Sequence, residues 1–190
     1  MTGGHHLVLG ELKDFITGET LEDTHDERYR QNIARLLVEQ KGYFKDDIEP
    51  RCALSALAGD KRAIIKVDFK ITLAGKVGMI VKYGPGSIVT RRRPALAASR
   101  LLTAYQIPVV VVTNGEDAEI LDGSSGKKIA TGLESVPTRT ELMKDIKDQN
   151  FASISAHRAE MESRIIYAYE VDDSCPCDDT ICRLEDTQNE

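Results

Sequence analysis

Residues 63–83 read AIIKVDFKITLAGKVGMIVKY, and this stretch decides the fold. Up to Leu73, apolar and polar residues alternate. Ile65, Val67, Phe69, Ile71 and Leu73 share one face of an extended chain, and Lys66, Asp68, Lys70 and Thr72 share the other. A period of two is the mark of a strand buried on one side. The chain turns around Ala74 to Lys76, and Val77–Tyr83 follows as a second strand, so the stretch is a hairpin. A three-residue loop at Ala74, Gly75 and Lys76 sets Asp68 opposite Lys82 on one face, whereas a two-residue loop sets them on opposite faces. Both registers fit the apolar pattern.

Outward from the hairpin, Tyr29, Ile33, Leu36 and Leu37 recur at helical spacing within Asp26–Gln40, with Thr24–Asp26 to cap the start and Gly42 to stop it. On the other side, Gly84-Pro85-Gly86-Ser87 forms a loop. Pro94 suits the first turn of a helix through Ala95–Tyr105, because its missing N–H is not needed there. Pro108–Thr113 is a run of valines that reads as a strand buried on both faces. The Asn114-Gly115 turn leads to a shorter strand, Ala118–Leu121. Thr138–Tyr169 is helical with a break near Asn150, and a strand within Ile48–Leu57 is weakly marked. This order predicts an α/β fold: a mixed central sheet flanked by helices, with a C-terminal helical extension. The divisions are an N-terminal segment 1–25, a core 26–137, a helical extension 138–170 and an acidic, cysteine-containing tail 171–190.

With 190 residues, 41% of them hydrophobic, the chain makes one domain whose core needs no disulfide or structural metal. No apolar run is long enough for a membrane helix and Met1–Gly10 lacks a signal-peptide layout, so a soluble, cytoplasmic protein with no membrane partner is expected. The net charge of −6 sits in the tail, where seven acids from Val171 to Glu190 oppose Arg183 alone. Between Asp68 and Glu116 there is no acid, while Lys70, Lys76, Lys82, Arg91, Arg92, Arg93 and Arg100 are all present. Arg91, Arg92 and Arg93, just before a helix start that is itself electropositive, repel it unless an anion is close: a nucleic-acid phosphate, a protein partner or the acidic tail folded over them, with a merely solvated basic run as the plain alternative. Arg100 belongs to the same basic set. In the tail, Cys175, Cys177 and Cys182 offer three thiols to zinc, with Cys52 as a fourth only if the tail folds back. ATP binding is unsupported, since no lysine and hydroxyl residue follow the glycine loop. No histidine is spaced to serve a serine or cysteine nucleophile.

The Val67-Asp68 pair, the Ile80-Val81-Lys82 triplet, the Ala95–Tyr105 helix and the PVVVVTNG run of Pro108–Gly115 together resemble the N-terminal nuclease domain of type I restriction enzyme motor (R) subunits. That domain belongs to the PD-(D/E)xK restriction-endonuclease-like superfamily, and the likeness spans Asp26–Leu121. The resemblance implies Mg²⁺-dependent DNA cleavage by a hydrolase. Asp68 matches the metal-binding aspartate, Lys82 the lysine that acts at the scissile phosphate, and Glu27 an acid on the first helix that would join Asp68 at the metal. Arg91, Arg92, Arg93 and Arg100 would grip the DNA backbone. Two positions depart from the pattern. Ile80 stands where a second carboxylate is needed, and isoleucine cannot ligate a hard cation. Leu101, beside Arg100, stands where a glutamine precedes Tyr105 by four residues. Glu27, Glu116 and Asp117 are the candidates to replace the lost acid. The expected function is DNA binding, with Mg²⁺-dependent phosphodiester hydrolysis in question and restriction-modification subunits as partners. The alternative is a non-catalytic nuclease-fold module for protein interaction or regulation.

Overall fold

The computed structural model describes residues 7–172 and 182–184, with side chains over 7–171. Its centre is the predicted hairpin, lengthened by one more strand: β3 (Ile48–Ala58), β4 (Lys61–Leu73) and β5 (Lys76–Tyr83) run antiparallel in sequence. The loop between β4 and β5 is the two-residue one, with Ala74 at φ +50° and Gly75 at φ +75°, the paired left-handed geometry that matches strand twist. Near the turn, Leu73 pairs with Lys76 and Thr72 with Val77. A bulge then leaves Gly78 unmatched, and Ile71 faces Met79, Lys70 faces Ile80 and Phe69 faces Val81. That added residue restores the register in which Asp68 is level with Lys82. Gly78 has a second reason to lack a side chain, because a Cβ there would collide with Ile146 and Leu142.

Beyond Phe69, β4 parts from β5 and continues against β3. At the fork, Arg51 on β3 adopts φ +53°, and it stands level with Asp68, between the Pro50–Phe69 and Cys52–Val67 pairs. The alternating face read from the sequence is therefore divided. Phe69, Ile71 and Leu73 enter one core cluster, and Ala63, Ile65 and Val67 enter another. The break in the ladder at Arg51 re-aims the strand pair, which a pattern of alternation cannot reveal.

The sheet continues β5, β6 (Val109–Thr113), β7 (Ala118–Asp122), β8 (Lys128–Thr131), with β5 and β6 parallel and the other neighbours antiparallel. The β5–β6 crossover is helix α2, Ile88–Leu101, as a parallel connection requires. Helix α2 starts six residues earlier than Pro94 suggested and stops before Tyr105. Ser87 takes the cap position and Pro94 is interior; the carbonyl that Pro94 cannot serve belongs to Thr90, which is exposed to water. Arg91, Arg92 and Arg93 thus lie inside the helix rather than ahead of it.

Helix α1 (His25–Arg35) begins where Thr24 accepts the N–H of Glu27, and ends in a π-helical turn, Leu36–Gln40. The late helical region divides near Asn150 into α3 (Arg139–Asp148) and α4 (Ala156–Ile166), and α4 runs on into a π-helical turn, Tyr167–Asp172. One core cluster joins the sheet to α2 and α4 through Ala95, Ala98, Ile166 and Tyr167, and the other joins it to α1 and α3 through Ile33, Leu37, Leu142 and Ile146. A small hairpin, β1 (Glu11–Lys13) with β2 (Thr20–Glu22), precedes α1, and β9 (Cys182–Leu184) pairs with β4 at Arg62–Ile64. No helix among the described residues is long and apolar enough to cross a membrane.

Candidate functional site

The fork between β4 and β5 makes a polar notch, and α1 closes it from above. Asp68 is buried there. Its Oδ2 accepts the backbone N–H of Tyr83 at 2.8 Å, and its Oδ1 accepts Nε of Arg30 at 2.7 Å. The Arg30 guanidinium lies over the Tyr83 ring, 5.1 Å from its centre, and 3.6 Å from Glu27 one turn back on α1. Glu27 in turn is 3.6 Å from Arg51, whose Nη1 also meets Asp14 Oδ2 at 2.8 Å. Gln31 ties the set together, donating to Glu27 at 2.8 Å and to Asp14 at 3.1 Å. Burial works to raise the Asp14 carboxyl, but the Thr17 N–H, Arg51 and Gln31 outweigh it and hold the group below its usual range.

Lys82 enters the notch from β5 and is 8% exposed. Its ammonium donates to the Lys66 carbonyl at 3.1 Å and to Glu170 at 3.0 Å. Desolvation works to lower its pKa; the nearby Glu170 and Asp68 charges prevail and hold it above the ordinary lysine value. Sequence reasoning missed Glu170, which arrives from the π-helical turn after α4. Ile80, two residues before Lys82, is fully buried in the apolar core. Of the other acids considered as replacements, Glu116 accepts the Tyr29 hydroxyl at 3.1 Å, and Asp117 serves the β6–β7 turn. The notch therefore brings together Asp68, Lys82 and Glu27, and adds Arg30, Arg51, Asp14 and Glu170.

The family model for the type I restriction enzyme R protein N terminus matches residues 25–137, more than half of the chain. This chain belongs to that family. Comparison with curated proteins and with solved structures gives no match. The R-protein match begins at the first residue of α1 and ends ahead of α3. Asp14 and Glu170 thus reach the notch from outside the part the R-protein family describes.

The R-protein resemblance implies magnesium, a hard dication that requires several free oxygen ligands in a tight shell. Both Asp68 oxygens are engaged, one of them by a guanidinium, and Glu27 stands between two arginines. Among the described residues, no group of three or more His, Cys, Asp or Glu side chains is arranged to hold a metal ion. As arranged, these residues do not fit magnesium: guanidinium charge already compensates the carboxylates.

The acid-free stretch meets its acids elsewhere. Lys70 pairs with Glu49 and Arg92 with Glu119. Arg93 and Arg100 both meet Glu162 of α4, at 2.5 and 2.6 Å. Arg100, expected at a DNA backbone, is turned into the α2–α4 seam, where it also donates to the Ser124 carbonyl at 3.2 Å. Arg91 lies along Gly84 and, among the described residues, makes no ion pair. Cys52 is buried, and desolvation with the Glu49 carboxylate pushes its thiol up to about 11, which disfavours a thiolate ligand. Cys175 and Cys177 lie outside the described residues, as does the Cys182 side chain.

Proposed function

We propose that this member of the R-protein N-terminal family is a DNA-contacting module that keeps the nuclease fold and does not cleave. The observation that supports the absence of cleavage is the occupation of Asp68 by Arg30 and the Tyr83 N–H, beside a lysine strand whose second acidic position is a core isoleucine. Metal-assisted hydrolysis needs carboxylates that hold a cation against phosphate, and here arginine takes that charge. The DNA reading is supported by membership of a restriction-enzyme family and by the acid-free stretch, with Arg91, at the start of α2, making no ion pair among the described residues. The proposed setting is the cytoplasm, alongside other restriction-modification subunits. A second reading, a module for protein contact or regulation, is favoured by the internal pairing of Arg92, Arg93 and Arg100.

Two assays separate these readings. Supercoiled plasmid incubated with the full chain and Mg²⁺ or Mn²⁺ is expected to stay intact; metal-dependent nicking that Lys82→Ala abolishes would overturn the proposal. Duplex DNA is expected to be retained at low salt and released steeply as salt rises. Arg91→Ala should weaken retention and make the log–log salt slope shallower by about one. Absence of retention at low salt would favour the protein-contact reading.

A further inference from the structure

The two acids that neutralise Lys82, Arg93 and Arg100 both belong to the C-terminal extension, outside the residues the family model matches. They are not equivalent. Glu162 is 2% exposed at the α2–α4 seam, and the same helix sends Ile166 into the core, so displacing it would undo the packing of α4. Glu170 lies beyond α4, on the final π-helical turn, and is only partly buried. Among the described residues, its carboxylate accepts from Lys82. Rotation of one side chain would withdraw it while Tyr167 and Val171, its buried neighbours on the turn, stay in place.

A buried ammonium does not stay without an anion. Apart from Glu170, Lys82 has the neutral Lys66 carbonyl, and the nearby Asp68 already accepts from Arg30 and Tyr83. Withdrawal of Glu170 is therefore an exchange that requires another oxyanion. Carboxylate and phosphate oxygens accept the same charge-assisted bond from an ammonium. The Arg91 side chain, which makes no ion pair among the described residues, lies against Gly84, two residues past Lys82, so a run of phosphates reaching Lys82 meets a second cation beside it.

We propose that Glu170 is an internal stand-in for a backbone phosphate: it holds Lys82 in the free protein and yields it to DNA, while α4 remains docked. This inference rests on the DNA-contact reading above. It makes the C-terminal extension a brake on DNA affinity, set by competition for one lysine.

The test compares full-length Glu170→Gln with the wild type and with Glu39→Gln, an equal change of net charge at an exposed α1-side acid whose ion pair with Arg35 is 4.0 Å long. Each protein is checked by circular dichroism, and its binding to a short fluorescent duplex is measured across a salt series. Glu170→Gln should tighten binding by about tenfold at low salt, the scale of one charge-assisted bond. It should also steepen the salt slope by about one. Glu39→Gln should change affinity less than about twofold, and adding Lys82→Gln to Glu170→Gln should return affinity to the wild-type value. If the glutamine variant does not fold, Glu170→Asp, which keeps the charge and shortens the reach, should shift binding in the same direction. Equal shifts from Glu170→Gln and Glu39→Gln, or a gain that survives Lys82→Gln, would overturn the brake. Wild-type binding unchanged by Glu170→Gln removes the brake alone; no binding by any of the proteins removes the DNA reading itself.

Discussion

Of the places where arginines meet carboxylates, the α2–α4 seam and the notch each gather several such groups, and the charge balance of the two is opposite. At the α2–α4 seam, one buried acid, Glu162, faces Arg93 and Arg100, with Arg158 3.6 Å away. In the notch, Asp14, Glu27 and Asp68 share Arg30 and Arg51. Where cations are in excess, the acid is the irreplaceable member, because removing it strands the buried Arg100 guanidinium without an anion. Where acids are in excess, each arginine has an alternative partner within reach. The seam holds two helices together, and the notch balances charge around a fork in a sheet.

The largest expected effect is at the seam. Glu162→Ala should cost about 3–5 kcal/mol in urea unfolding, the range for breaking a buried pair by deleting one side. A loss below about 1 kcal/mol would place the seam with ordinary surface pairs and erase the contrast. In the notch, Asp68→Asn should cost less, about 2 kcal/mol, since it weakens a charged hydrogen bond while Glu27 stays 3.6 Å from Arg30. If it costs more than Glu162→Ala, the notch rather than the seam is the rigid centre.

The smallest expected effect is a pH signature. Burial works to raise the Glu162 carboxyl, but Arg93 and Arg100 hold it below its ordinary value. A depressed acid stabilises the fold above its unfolded pKa, about 4.3, and that contribution fades as pH falls through the folded value. Thermal melts of wild type and Glu162→Gln should therefore converge as pH drops from 6 toward 3. Melts that stay parallel would mean that Glu162 is not the acid-sensitive contact. Lys82 behaves in the opposite sense. Its raised pKa gives stability that is present below the ordinary lysine value and is lost as pH climbs through the folded one, so wild type and Glu170→Gln should converge at the alkaline end.

Much of the architecture was legible because it rests on local period. The α1 cap at Thr24, the valine strand β6 and the division of the late helices near Asn150 all follow from side-chain pattern and breakers. The level pairing of Asp68 and Lys82 was legible only in part: the sequence tied it to a three-residue loop and left a two-residue loop equally open, and it arises from a two-residue loop with a bulge at Gly78. Nothing local in the sequence announces that bulge, and the side chains that leave its glycine no room for a Cβ, Ile146 and Leu142, come from the distant α3. The start of α2 was placed too late because Pro94 was given the first turn, while proline sits deeper in the helix, opposite the exposed residue Thr90. Glu170 was invisible for a different reason, lying 88 residues from Lys82. A faint signal did exist. A stretch with seven cations and no acid must find its counter-charges elsewhere, and Glu49, Glu119, Glu162 and Glu170 all lie outside it.

Ile80 also sets the terms for installing a metal ligand. It is wholly enclosed with Val110, Val112 and Ala95, so a glutamate introduced here would meet hydrocarbon instead of solvent, at a penalty on the order of several kcal/mol. One substitution at this position would not furnish a hydrated carboxylate. A designer would first have to loosen the surrounding aliphatic wall, or recruit the carboxylate that already touches Lys82 from the turn beyond α4.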